Sequence, residues 1–180
     1  MSGGFRLAEP PAGLAFHPGH TWVGGGPEGA VAGVDGFGAR LLPRATALKL
    51  PPVGRLLDQG DPAFEVLSGD RRAVFLAPVA GRVVGRNVEL AARPGLLLED
   101  PYGVGWVLRL RPRHWERDRR NLLLGQVAFR WLEASVEDLR VRIAGLSGSV
   151  IQPAEGVGFL ACLPAANWEA LAAELLHSAA

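Results

Sequence analysis

His17 and His20 stand three residues apart and could share a metal ion if the chain turns at the intervening Pro18-Gly19. Two imidazoles fall short of the four ligands of a structural zinc site, so Asp35, His114 or another molecule would have to complete the set. The same Pro-Gly pair suits a plain turn, which leaves a structural or solvated role for both rings. A second group is denser. Ser68, Asp70, Arg71 and Arg72 lie within Phe64-Glu65-Val66-Leu67-Ser68-Gly69-Asp70-Arg71-Arg72-Ala73-Val74-Phe75, two strand-forming runs around a polar centre. Gly69-Asp70 supplies what a tight turn needs. An arginine pair can also grip a carboxylate or phosphate through bidentate bonds. The tip therefore reads as turn chemistry or as a recognition patch. Arg113 and Trp115 join the candidates for partner recognition, Trp115 as the tryptophan most expected at the surface.

Other chemistries fail on spacing. Glu65, Glu99, Asp100 and Asp118 form no convincing acid–base pair. Ser68, Ser147 and Ser149 lack the strand-to-helix elbow of a serine hydrolase. Cys162 is the only cysteine, which forbids an internal disulfide and a multi-cysteine metal cage; it reads as a small space-filling hydrophobe. Gly24-Gly25-Gly26 has no Lys-Ser/Thr behind it and is no phosphate loop. No catalytic residue emerges, so a non-enzyme is expected.

The whole chain bounds what these residues can serve. Its 180 residues are 48% apolar, which argues for a packed core, and its 24 glycines and 14 prolines fit short strands and tight turns. No apolar run is long enough to cross a bilayer. The N-terminus lacks a basic-then-apolar leader, so a cytoplasmic location is expected. Eighteen arginines face one lysine, Lys49, and six of them fall between Arg109 and Arg120. Such usage can reflect genome composition or build a basic docking face for an acidic partner. Nucleic acid is not expected, because no recognition module accompanies the basic stretch.

Thr21-Trp22-Val23 and Gly29–Val34 read as strands joined by a turn at Gly24 to Pro27. Asp35 caps a brief helix over Phe37–Leu42, which Pro43 stops. Ala45–Leu50 reads as a strand. Pro52-Val53-Gly54-Arg55-Leu56-Leu57 is echoed by Pro78-Val79-Ala80-Gly81-Arg82-Val83-Val84, which suggests two small sheets packed about a pseudo-two-fold. A helical turn over Asn87–Leu97 breaks at Arg93-Pro94-Gly95. Val104–Leu110 alternates as a strand, with Trp106, Leu108 and Leu110 on one side. The strongest helix is expected from Asp118 to Ile143, on the stripe Leu124, Val127, Ala128, Trp131, Leu132, Val136, Leu139 and Ile143. Gly125 inside it costs about 1 kcal/mol against alanine, and Gly145 supplies a stop. A short strand is expected near Gly148–Ile151 or Val157–Ala161. A last helix spans Ala165–His177, capped by Asn167, with Trp168, Leu171, Ala172, Leu175 and Leu176 on its apolar side.

Five segments in order resemble the glycine cleavage system H protein family: Gly19-His20-Thr21-Trp22-Val23; Gly33-Val34-Asp35-Gly36-Phe37-Gly38; Leu50-Pro51-Pro52-Val53-Gly54 with Gly60-Asp61-Pro62-Ala63; Ala77-Pro78-Val79-Ala80-Gly81-Arg82-Val83-Val84; and Glu99-Asp100-Pro101-Tyr102-Gly103-Val104-Gly105-Trp106. The resemblance implies a mainly β fold, a lipoyl-like barrel-sandwich hybrid with short helices over residues 17–112. A lead-in over 1–16 precedes it. An extension over 113–180 follows, with a long amphipathic helix and a small C-terminal α/β appendage. In that family a hairpin lysine carries lipoic acid. Counting back from Ala77, its position falls on Asp70, and the family's usual glutamate three residues earlier falls on Leu67; a one-residue gap would place Gly69 or Arg71 there instead, and neither is a lysine. Acylation needs a neutral primary amine; a carboxylate has none and a guanidinium stays protonated. Lys49 comes too early to crown the hairpin.

The resulting expectation is a non-lipoylated, H-protein-like adaptor or regulatory protein that acts by protein–protein recognition and carries no cofactor. A homodimer is a further expectation, because the broad apolar stripe of the long helix needs a partner surface. The alternatives are a metal- or small-ligand-binding protein built on His17 and His20, or a non-covalent accessory of lipoate and glycine cleavage metabolism.

Overall fold

The computed structural model describes residues 7, 10–147, 160 and 163–177. Ten strands form two sheets among them. The strands are β1 (Ala15–His17), β2 (Thr21–Gly26), β3 (Gly29–Val34), β4 (Ala47–Lys49), β5 (Leu56–Leu57), β6 (Pro62–Ser68), β7 (Arg71–Leu76), β8 (Gly81–Arg86), β9 (Leu108–Pro112) and β10 (Leu123–Leu124). The larger sheet runs β10-β1-β2-β3-β9-β8-β5 and the smaller β4-β6-β7. Every strand pairing among the described residues is antiparallel.

Alternation decides which side each strand buries. On β8 and β9, Val83, Leu108 and Leu110 turn inward while Arg82, Arg109 and Arg111 turn out. On the smaller sheet, Phe64, Val66, Ala73 and Phe75 face the core, and the Phe64 and Phe75 rings stack at 5.5 Å. The inner faces of both sheets thus share one apolar centre with Val34, Phe37 and Leu57. Neither sheet could bury that face alone.

The helices bounded within the described residues are α1 (Gly36–Leu41), α2 (Glu89–Ala92), α3 (Leu96–Glu99), α4 (Trp115–Arg119), α5 (Gly125–Ser147) and α6 (Ala165–Leu175). Asp35 caps α1 as expected, its carboxylate accepting from the Gly38 N–H at 2.8 Å. Among the described residues no helix is long and apolar enough to cross a membrane.

Several expectations change. The β2–β3 turn is Pro27-Glu28, because β2 runs through the three glycines to Gly26. The two echoing segments pair with each other, Leu56 opposite Arg82 and Leu57 opposite Gly81, within one sheet instead of two. The expected lead-in ends in a strand, β1. The long helix begins at Gly125, not at Asp118. Gly125 has φ +51, a left-handed conformation that breaks the chain direction between β10 and α5. Leu123 and Leu124 pair with Phe16 and Ala15, so residues beyond 112 add an edge strand to the larger sheet. Gly145 does not stop α5. Val107 is buried beside Leu108, because the regular strand starts only at Leu108. Pro164, not Asn167, precedes α6 at its cap. Of the strand expected near 148–151 or 157–161, only Leu160 is described, and it is helical and buried; the rest, with Ser149 and Cys162, lies outside the described residues.

The apolar side of α5 finds cover within its own chain. Ala128, Leu132, Leu139 and Ile143 are buried, and Trp131 stacks on His20 at 4.4 Å between centroids. Val127 and Val141 stay exposed. The stripe that called for a second copy is therefore largely occupied.

Candidate hairpin tip site

β6 and β7 form the hairpin that the sequence marks, with Ser68 opposite Arg71 and a two-residue tip of Gly69 and Asp70. Gly69 has φ +68, where a primed hairpin turn favours glycine. The segment before β4 wraps this tip. The Thr46 N–H and hydroxyl both donate to the Leu67 carbonyl, at 2.8 and 3.0 Å, and Gly69 donates to Thr46 Oγ1 at 3.1 Å. Ser68 is buried, and its hydroxyl accepts from the Arg44 N–H at 3.3 Å. Asp70 is exposed and makes no hydrogen bond or ion pair among the described residues.

Lys49 lies on the neighbouring strand, opposite Glu65, with Nζ 3.2 Å from Glu65 Oε2. Four to five residues separate that level from the tip, about 13–16 Å of strand. Arg72 Nη1 approaches the other Glu65 oxygen at 3.6 Å. The chain's one lysine is thus part of a cross-strand charge ladder, well below the tip.

The C-terminal helix is the feature the sequence left unplaced. α6 packs along β7. Arg71 donates from Nη1 to the Leu160 carbonyl at 2.7 Å and from Nη2 to the Leu163 carbonyl at 2.5 Å, and its guanidinium lies 5.9 Å from the Trp168 ring. The Arg72 N–H donates to Glu169 Oε1 at 2.9 Å. Trp168 is fully buried, and its Nε1–H donates to the Leu41 carbonyl at 3.0 Å. The far end of the helix reaches the turn after β1, where a β-carbon on Gly19 would come within 2.9 Å of the Leu176 carbonyl oxygen. Backbone acceptors leave no residue-type signature, so nothing in the sequence announces this docking.

The six expected recognition residues do not form one patch. Ser68 and Arg71 face inward partners. Arg72 is exposed but shared between Glu65 and Glu169. Arg113 is exposed and donates through its backbone to the Ala80 carbonyl, beyond the end of β7 opposite the tip. Trp115 is half-buried against the core, not fully exposed. Asp70 alone is a free acidic group at the tip.

The histidines also take internal partners. His17 Nδ1 accepts from the Gly19 N–H at 3.0 Å. Burial, with smaller contributions from His177 and His20, pushes its pKa down to about 4 from 6.5. His20 sits at φ +58, buried between Phe37 and Trp131, with Nδ1 2.9 Å from Asp35 Oδ2. So His20 and Asp35 do meet, but as a hydrogen-bonded pair that braces the α1 cap. His114 is exposed at the start of α4. Among the described residues no group of three or more His, Cys, Asp and Glu side chains is placed to hold a metal ion.

Two side-chain acceptors escaped the sequence reading. Asp118 is fully buried, accepting from the Ala80 N–H at 2.7 Å and from Arg117 Nε at 2.8 Å. The Tyr102 hydroxyl accepts from the Gly36 N–H at 2.8 Å, and burial beside Asp35 raises its pKa.

Residues 14–134 match the family model described as glycine cleavage H-protein. The chain is 32% identical over 118 residues to glycine cleavage system H protein 2 of Aquifex aeolicus, covering 65% of this chain and 73% of that one. It is 33% identical over 123 residues to the glycine cleavage system H protein of Magnetococcus marinus, covering 68% and 87%. A crystal structure of a glycine cleavage system H protein from Mycobacterium marinum aligns with TM-score 0.54 and 25% identity, over 57% of this chain and 86% of the other.

Proposed function

The chain belongs to the glycine cleavage H-protein family, and we propose that within it this protein acts as a non-lipoylated adaptor or regulator, by recognising other proteins. The observation that carries this reading is Asp70 at the hairpin tip. The family resemblance puts the acylated lysine at that position. A lipoyl amide forms when a neutral primary amine attacks an activated acyl group. The Asp70 carboxylate has no such amine, and the guanidinium groups beside it stay charged. The residues present do not fit the lipoyl group, so no carrier step is assigned to this chain.

Two further observations support the reading. Lys49 is held by Glu65 a long way down the sheet from the tip. The C-terminal helix and the segment before it occupy the Arg71 side of the hairpin. What remains at the turn is a single exposed carboxylate. At the tip the scaffold offers a surface and no amine to acylate, which suits recognition without a carrier step.

Affinity capture with the full chain at modest ionic strength tests this function. A stoichiometric protein partner, retained whether or not lipoate is supplied, is the expected result. Recovery of the bait alone, with no specific partner and no self-association, contradicts it.

A further inference from the structure

The outer face of the larger sheet carries arginines that have no carboxylate partner among the described residues. Arg82 on β8 and Arg111 on β9 are directly opposite each other, and both are exposed. Like charges directly across a strand pair repel and destabilise the pairing. Arg109, two residues before Arg111, projects from the same face, and its guanidinium lies 4.9 Å from the Trp106 ring. Arg82 spends one donor on the Gly54 carbonyl at 3.0 Å. None of the three forms an ion pair with a carboxylate among the described residues. Each guanidinium has five N–H donors, so most of this capacity is unspent.

Apolar side chains border the arginines. Leu56, opposite Arg82, is 49% exposed, and Val84 is 44% exposed. Val31, opposite Arg109, is half-buried. A face that mixes unpaired arginines with exposed aliphatics matches a partner with carboxylates set among aliphatic groups. It lacks the row of free aromatic platforms on which nucleotide bases stack.

From this charge complementarity, and resting on the adaptor reading above, we infer that the β3-β9-β8-β5 face is a docking surface for an acidic, aliphatic protein segment, gripped by Arg82, Arg109 and Arg111. The partner's carboxylates take bidentate bonds from the paired guanidiniums and relieve their mutual repulsion. Its aliphatic groups cover Leu56 and Val84.

Titration of the full chain with a fluorescein-labelled peptide of repeating Glu-Leu tests this surface, with oligothymidylate of equal charge as the competing class. The wild-type protein is expected to bind the peptide more tightly than the oligonucleotide, and to weaken as salt rises. Arg111→Glu raises the peptide Kd roughly tenfold, and Arg82→Glu/Arg111→Glu raises it further. Arg111→Glu also melts no lower than wild type, since it turns a repelling pair into an attracting one. Should that variant fail to fold, Arg111→Gln takes its place, and retained affinity there counts against the surface. Equal peptide binding by wild type and variants, or no binding, overturns the inference. Tighter binding of oligothymidylate overturns it in favour of nucleic acid. A bait that captures no protein sinks the adaptor reading separately, because the peptide titration does not depend on finding the natural partner.

Discussion

The hairpin tip and the outer sheet face hold the same residue type in opposite conditions. At the tip, Arg71 donates to two backbone carbonyls and lies near Trp168, while Arg72 leans on Glu65. On the sheet face, Arg82 and Arg111 oppose each other with no carboxylate beside them. The first arrangement pins the chain's own C-terminal helix. The second leaves strong donors directed outward. An excess of arginine over lysine is therefore not one property of this molecule. Part of it is internal fastening, and part of it is surface available to others.

Breaking the fastening produces the largest expected effect. Trp168→Ala removes a fully buried ring and its bond to the Leu41 carbonyl, and should cost about 3–5 kcal/mol. Urea unfolding followed by hydrogen exchange on β7 checks this. Unchanged stability and unchanged protection of β7 would mean that α6 does not hold the hairpin.

Arg71→Ala comes next. Losing charged donors to the Leu160 and Leu163 carbonyls should cost about 1.5–3 kcal/mol in the same unfolding assay. Arg71→Lys should recover only part of it, because an ammonium cannot fork to two acceptors as a guanidinium does. Full recovery with lysine would reduce the latch to simple charge.

The far end of α6 supplies a pH-dependent test. His17, whose pKa burial lowers to about 4 from 6.5, is neutral in the folded state. Below pH 6.5 the unfolded chain takes up a proton that the folded chain refuses. This contribution is therefore whole above about 6.5 and is lost as pH falls toward about 4. Protonation also removes the Nδ1 acceptor used by Gly19. The urea midpoint should drop across that window in wild type, and drop less in His17→Gln. Identical pH profiles would remove His17 from the account.

The sheet face should respond in the opposite sense. Arg111→Glu is expected to stabilise the fold by about 0.2–1 kcal/mol, by giving Arg82 a cross-strand partner of opposite charge. A destabilised variant would mean that the two arginines are not in mutual repulsion.

Legibility in the sequence followed the same divide. Features encoded by local residue type were readable. Asp35 marked the start of α1, strand-forming runs marked β3, β6 and β7, and Gly69-Asp70 marked the hairpin turn. The apolar spacing of Trp168, Leu171, Ala172, Leu175 and Leu176 marked the buried side of α6. Features that depend on distant backbone were not readable. Gly125 looked like a mild helix defect, yet its positive φ ends β10 and begins α5. Asp118 was read as the start of the long helix, yet it lies before that helix and is buried, accepting from the Ala80 N–H. Ser68 and Arg71 looked like a recognition patch because polar residues at a turn carry no mark of what will cover them. Asp70 drew notice only once the family resemblance placed the lipoyl position there, after which the missing amine needed no coordinates to be seen.

That missing amine is also the most direct point of attack. The full chain can be co-expressed with a lipoate-attaching enzyme and excess lipoate, and its intact mass measured beside that of an ordinary H protein carrying the hairpin lysine. The account predicts a lipoyl increment on the ordinary protein and the bare chain mass here. A lipoyl increment on this chain, mapped to the peptide spanning Phe64 to Phe75 or to Lys49, would contradict it.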